Sequence, residues 1–180
     1  MEILAISGSI RTGSFNSALL DAMSILSPGN IKITLFDSIA CTPTFNPEID
    51  EDNLPEAVKS LISNIRKSDA IIIASPEYAH GITGVLKNML DWLVASDALV
   101  LKPIMVTSVS TSGLGGVRSY SALVQILTAM NSNVVIEGSL CVPFAAGKFD
   151  DTLRLTDEIT KERIKVSLKA LERIVNHNNV

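Results

Sequence analysis

The run Ala70-Ile71-Ile72-Ile73-Ala74, introduced by Asp69, has no polar residue alternating with its apolar ones. A strand that is apolar on both sides must be covered on both sides, and a parallel sheet between two layers of helices provides that cover. The rest of the chain supplies its partners. Glu2 to Ser7 reads as a first strand. Ser14 is the expected N-cap of a first helix, with Phe15, Ala18, Leu19, Ala22, Met23 and Leu26 on its apolar face and Pro28-Gly29-Asn30 as its stop. Ile31, Ile33, Leu35 and Phe36 form a second strand. A second helix begins at Pro55, with Val58, Leu61, Ile62 and Ile65 as its stripe. Pro103 to Val109 is a fourth strand, followed by a helix carrying Val117, Tyr120, Val124, Leu127 and Met130. Val134-Val135-Ile136 is a fifth strand, Gly138 to Asp151 is irregular, and a last helix starts near Thr156 with Ile164, Leu168, Leu171 and Val175 inward.

Five strands alternating with five helices, with no repeat or composition shift, predict one domain over residues 1–180. It is α/β and three-layered, with a five-stranded parallel sheet and helices on both faces. Ligands of such sheets collect at the carboxyl ends of the strands, beside the switch point in strand order. Three polar, glycine-bearing loops follow strands one, three and four, and the order 2-1-3-4-5 brings all three together.

The first loop, Gly8-Ser9-Ile10-Arg11-Thr12-Gly13-Ser14-Phe15-Asn16-Ser17, links a strand to a helix N-terminus, which offers unpaired N–H groups and a partial positive charge. Ser9, Thr12, Ser14 and Ser17 add hydroxyls and Arg11 a charged fork. Ile10 stands where a dinucleotide fingerprint needs its second glycine, and Ser14-Phe15 replaces the Lys-Ser/Thr of a nucleotide-triphosphate loop. Two readings stay open: a site for one phosphate monoester, as a mononucleotide presents, or a serine-rich turn without a ligand. The second loop is Ser75 to Gly84 and the third Ser110 to Gly116. The connection from Asp37 to Asn53, rich in Pro, Asn and acids, is either a functional rim or a disordered surface loop. The helix Val85 to Leu93 is apolar over more than half its circumference. It therefore needs the sheet and a second partner, another helix or another subunit.

Charged residues at 19% and hydrophobic ones at 47% exclude disorder, and no apolar run is long enough for a membrane span. The N-terminus opens on a core strand without a basic lead, so no signal peptide is expected and the chain is placed in the cytoplasm. A net charge of -4 gives no basic face for nucleic acid. Cys41 and Cys141, without a C-x-x-C spacing or a nearby His cluster, predict two reduced, partly buried thiols and neither a disulfide framework nor a zinc site.

The strings GSIRTGSFN, SPEYAHGITGVLKNMLDWL and STSGLGGVR, with FDDTLRLTDE near the C-terminus, resemble the NAD(P)H-dependent FMN reductases of the flavodoxin-like superfamily, which include quinone-, azo- and chromate-reducing enzymes. The resemblance implies a flavodoxin-like fold that binds FMN and takes hydride from NADPH or NADH. Ser9, Arg11, Ser14, Asn16 and Ser17 would hold the FMN phosphate. Pro76, Glu77, Tyr78 and Gly81 would line the isoalloxazine ring, and Ser112, Gly113 and Gly116 would close its third side. It also implies a homodimer or homotetramer through the Val85–Leu93 helix. Many relatives carry Asn-Gly or Asn-Tyr where this chain has Ala79-His80, a difference at the ring edge.

Hydride transfer is the cofactor's chemistry, so no nucleophile or acid/base pair is expected of the protein. The expected cycle is ping-pong, ending on a small-molecule acceptor: a quinone, an azo compound, a metal ion or free flavin. His80 is either a proton donor to such an acceptor or an idle loop residue, and Arg118 shares with Arg11 the choice between a phosphate contact and a surface charge. Asn88, Asp91 and Trp92 are assigned structural or interface roles. The alternative function is a non-enzymatic flavodoxin-like electron carrier or flavin-binding regulatory protein.

Overall fold

The computed structural model describes residues 1–36 and 39–178. Asp37, the expected start of the long connection, lies outside the described residues.

The elements run β1 (Glu2–Ser7), α1 (Phe15–Leu26), β2 (Lys32–Leu35), α2 (Glu56–Lys67), β3 (Ala70–Ala74), α3 (Gly84–Leu93), β4 (Pro103–Val109), α4 (Val117–Ala129), β5 (Asn133–Val134), β6 (Leu140–Val142) and α5 (Glu158–Asn178). The strands are all parallel, in the order β2-β1-β3-β4-β5, with β6 also paired to β4. The fold is the three-layer flavodoxin-like one that the sequence predicts.

The period of two along each strand builds the layers. Ile3 and Ala5 of β1 and Ile72 of β3 join a core with α1 and α5. Leu4, Ile6, Ile71 and Ile73 point the other way, into a core with α2, α3 and α4. Every residue of β3 is fully buried, as its sequence requires.

Two expectations are corrected. The fifth strand is not Val134 to Ile136, and the stretch from Gly138 is not irregular throughout. The chain pairs with the start of β4 at Asn133–Val134, makes a 3-10 turn at Ile136–Gly138, then pairs with the end of β4 through β6. Gly138 permits the detour, since a Cβ there would lie 3.1 Å from Met105 Sδ and 3.2 Å from the Ser167 carbonyl.

The second correction concerns α3. Its Leu86, Met89, Leu90, Trp92 and Leu93 are at most 3% exposed within a single chain. The long connection covers them, as Phe45, Ile49 and Leu54 pack into that layer and Phe45 meets Trp92 edge-on at 5.2 Å. Asn88 fixes the cover in place by accepting from Phe45 N–H at 2.8 Å and donating to the Pro43 carbonyl at 2.8 Å, which Trp92 Nε1 also reaches. The second partner of α3 is thus the chain's own 39–54 segment, and a second subunit is not needed to bury its apolar side.

Candidate functional site

The three loops meet at the carboxyl edge of the sheet. Gly8 N–H donates to the Ala74 carbonyl at 2.7 Å, and the Gly8 carbonyl accepts from Thr83 Oγ1 at 2.6 Å. Thr83 is also the N-cap of α3, so one buried hydroxyl starts a helix and ties the first loop to the second.

In the first loop the Ser14 hydroxyl accepts from Ser17 N–H, the N-cap the sequence predicts. The N–H groups of residues 12 to 16 donate to no acceptor among the described residues, and the first turn of α1 carries no acidic side chain. Five orphan donors at a helix N-terminus suit a phosphate. Ser9 Oγ accepts from Arg11 N–H, and the Arg11 guanidinium folds back on the Gly13 carbonyl at 3.2 Å, exposed and free to swing outward. Ser17 Oγ pairs with Ser7 Oγ at 2.8 Å.

Asn16 is placed differently from the expectation. It is 3% exposed, and its amide bonds both ways to Val109, donating to the carbonyl and accepting from the N–H at 3.0 Å each. Its side chain ties α1 to the end of β4, which leaves its backbone N–H as the group without a partner among the described residues.

On the other flank of this loop lies a groove of 590 Å³ between α1 and the turn at 152–155, with Arg11, Arg154 and Lys161 on its rim. Burial raises the pKa of Asp21 there. Asp150 braces the turn, accepting from the N–H groups of Thr152 and Arg154 at 2.9 Å.

In the second loop Tyr78 and Gly81 exchange both backbone hydrogen bonds across Ala79 and His80, whose φ values are 48° and 63°. Two central residues with positive φ make a type I′ hairpin turn, the turn that Asn-Gly forms most readily. The departure seen in sequence is therefore a strained turn tip. The N–H groups of Glu77, Ala79 and His80 have no acceptor among the described residues, and neither does the His80 ring. Pro76 is buried, while Tyr78 is 56% exposed. Glu77 turns away from the loop, and its carboxylate accepts from Arg118 and Ser119 N–H at the start of α4.

In the third loop the Ser112 carbonyl accepts from Gly115 and Phe144 N–H, and its hydroxyl from Ser110. Gly116 is the N-cap of α4 at φ 81°, and a Cβ there would fall 2.0 Å from Ser108 Oγ. Only glycine fits. Phe144 was not read from the sequence. It is 62% exposed with φ 55°, and its ring covers Gly113, where an added Cβ would lie 3.1 Å from Cζ. It becomes visible once β6 is recognised, because it then follows a strand at the same carboxyl edge.

The 76–81 and 112–116 loops thus lie side by side, tied by Glu77, with a run of orphan amides at the head of α1. A phosphate monoester joined to a planar ring system matches this donor set. FMN fits the residues present.

A family model described as NADPH-dependent FMN reductase matches residues 1–147. The chain is 33% identical over 174 residues to an NAD(P)H-dependent FMN reductase of Pseudomonas aeruginosa, covering 96% of this chain and 94% of the relative. It is 27% identical to a quinone reductase of Escherichia coli K12, covering 97% and 95%. The flavoenzyme NAD(P)H:(acceptor) oxidoreductase FerB of Paracoccus denitrificans shares the fold at a TM-score of 0.86 and 24% identity, covering 98% of both chains. An archaeal flavodoxin shares it at a TM-score of 0.62 and 13% identity, covering 97% and 99%.

Proposed function

The chain belongs to the NADPH-dependent FMN reductase family and is an FMN-dependent NAD(P)H oxidoreductase, and we propose that it seats the flavin phosphate at the head of α1 and the ring between the loops after β3 and β4. What supports this assignment is the run of orphan amides at residues 12 to 16, held beside the 76–81 loop by the Thr83 tie to Gly8.

When bound, FMN supplies the redox chemistry, taking a hydride from reduced nicotinamide and passing electrons to a second substrate in a ping-pong cycle. The protein's residues do the rest. Ser9 and Ser14 present hydroxyls and residues 12 to 16 present amides to the phosphate, with Arg11 swinging from the Gly13 carbonyl to add a charge-assisted bond. Ser17 supports Ser7 beneath the loop, and the Asn16 amide contributes its N–H alone. Pro76, Tyr78 and Gly81 form one wall of a slot for the ring, and Ser112, Gly113 and Gly116 form the other. The free N–H groups of Glu77, Ala79 and His80 are the donors available to the ring's polar edge, where negative charge develops on reduction.

The side chains exposed on these loops favour a planar organic acceptor, a quinone, an azo compound or free flavin, over a metal ion. Tyr78, Leu114 and Phe144 expose 55–62% of their surface there, a lining suited to a planar apolar molecule and poorly suited to a hydrated ion. The working unit is proposed to be residues 1–180 as a homodimer or homotetramer in the cytoplasm, where reduced nicotinamides are supplied. Its contact would run along the Val85–Leu93 helix, through side chains that the 39–54 segment leaves partly exposed, such as Val85, with exposed Val94 at its end. Sedimentation measures that state.

The deciding experiment is an anaerobic visible spectrum of the chain reconstituted with FMN, taken before and after NADPH and then a quinone. Bleaching by NADPH and recovery with the quinone is the expected result. A bound flavin that NADPH leaves unbleached would point to an electron carrier instead.

A further inference from the structure

The two walls of the ring slot belong to different strand–helix units, so their separation must be set by a contact between them. The head of α4 needs such a contact. Its N-cap, Gly116, has no side chain to offer, and its first turn carries no acid. Glu77, 41 residues earlier, fills the role. Its Oε2 accepts from Arg118 N–H at 3.0 Å and from Ser119 N–H at 3.4 Å, while Oε1 lies 3.4 Å from Arg118 Nη1. Only 15% of the Glu77 side chain is exposed. Beneath it the Ser75 carbonyl accepts from Ser108 Oγ at 2.7 Å and Ser119 Oγ at 3.2 Å, so the same two segments are also joined in the core.

A carboxylate on a helix N-terminus satisfies orphan amides and cancels the helix's positive end. Here that positive end follows directly on the 112–116 loop, with the Arg118 guanidinium beside it. Resting on the assignment of the ring to this slot, we propose that Glu77 is a positioning residue with two effects. It locks the wall formed by the 112–116 loop and α4 against the 76–81 loop, and it screens the positive charge of α4 and Arg118 from the flavin, holding the FMN reduction potential low. The second effect follows because reduced FMN gains negative charge, which an unscreened positive field would favour.

Two variants separate reach from charge. Glu77→Gln keeps the reach and one acceptor oxygen but loses the charge. In the FMN-loaded protein it is expected to favour reduced over oxidised FMN by about tenfold, which raises the two-electron midpoint potential by roughly 30 mV. Glu77→Asp keeps the charge but is one methylene short, and it is expected to speed hydrogen exchange of the Arg118 and Ser119 amides in the flavin-free protein while moving the potential less. Arg118→Gln, which retains the cap, is expected to lower the potential. An unchanged potential in both Glu77→Gln and Arg118→Gln would overturn the screening. Unchanged amide exchange in Glu77→Asp would overturn the lock. Failure of the unmutated chain to bind FMN would sink the flavin assignment itself, and the exchange measurement would still judge the lock.

Discussion

The head of α1 and the ring slot are built in opposite ways. The nest for a phosphate is a single stretch, Gly8 to Ser17, in which hydroxyl, cap and orphan amide follow one another along the chain. The slot is assembled from segments far apart in sequence and fixed by side chains reaching between them: Thr83 to Gly8, Glu77 to Arg118, Phe144 over Gly113. A contiguous site is shaped by local backbone geometry, and side-chain change there leaves the fold intact. An assembled site depends on each long-range tie.

The largest effect should fall on the assembled side. Gly116→Ala puts a Cβ against Ser108 Oγ at a φ of 81°, and it should cost on the order of 3 kcal/mol of folding stability. Urea unfolding measures it. A loss under about 1 kcal/mol would mean that the wall yields as readily as a surface loop, and the contrast would dissolve.

On the contiguous side, function should change while folding does not. Arg11→Ala should weaken FMN binding by about 1.5–3 kcal/mol, the range for a charge-assisted hydrogen bond. Ser14→Asp should weaken it as well, by placing a negative charge against the phosphate. Flavin fluorescence titration reads both, and unchanged affinity in the pair would remove the phosphate from this loop.

The strained tip at the slot's edge offers a smaller, favourable change. Replacing Ala79-His80 by Asn-Gly should stabilise the chain by about 1 kcal/mol, because those residues accept the positive φ of a type I′ turn. Thermal unfolding checks this, and a lower midpoint would mean that the present residues are held there by contacts rather than against their preference.

The smallest effect concerns the head of α5, just after the 152–155 turn. Asp157 caps α5 by accepting from Thr160 N–H at 2.9 Å, and its pKa is lowered to about 2 by hydrogen bonds from Lys148 first and Thr160 second. A carboxyl with a depressed folded-state pKa adds stability that is present above its ordinary value of 3.8 and lost as pH falls toward 2. The expected outcome is a modest loss of stability between pH 4 and 2 that Asp157→Asn reduces, the remainder falling to Asp150 and Asp97, whose carboxyls are also held below their usual range. An equal acid dependence in that variant would assign the loss to other carboxyls.

The same division explains what could be read without coordinates. The Ser14 cap and the buried strand Ala70–Ala74 are local patterns of period and capping, and they appear as expected. The α1 face that packs inward through Leu19 and Met23 does as well. Strand order followed from the placement of three loops, a weaker signal but one that topology rules constrain. The side-chain partners of Asn16 and Glu77 were hidden for a shared reason. Each lies in a polar, glycine-bearing stretch where a polar side chain suggests a ligand, yet each satisfies backbone groups brought near only by folding, at Val109 and at the head of α4. Phe144 was hidden because its strand, β6, has three residues and leaves no periodic trace.

The chain's own residues thus determined the layers, the number of crossover helices and a nest of donors at the head of α1, because each arises from interactions within one turn or one strand. Only the tertiary structure decided that the 39–54 segment covers α3, that Asn16 braces a strand end and that a glutamate caps a helix 41 residues away. Contacts of that kind depend on which orphan groups the fold leaves opposite one another, and a one-dimensional pattern carries no record of it.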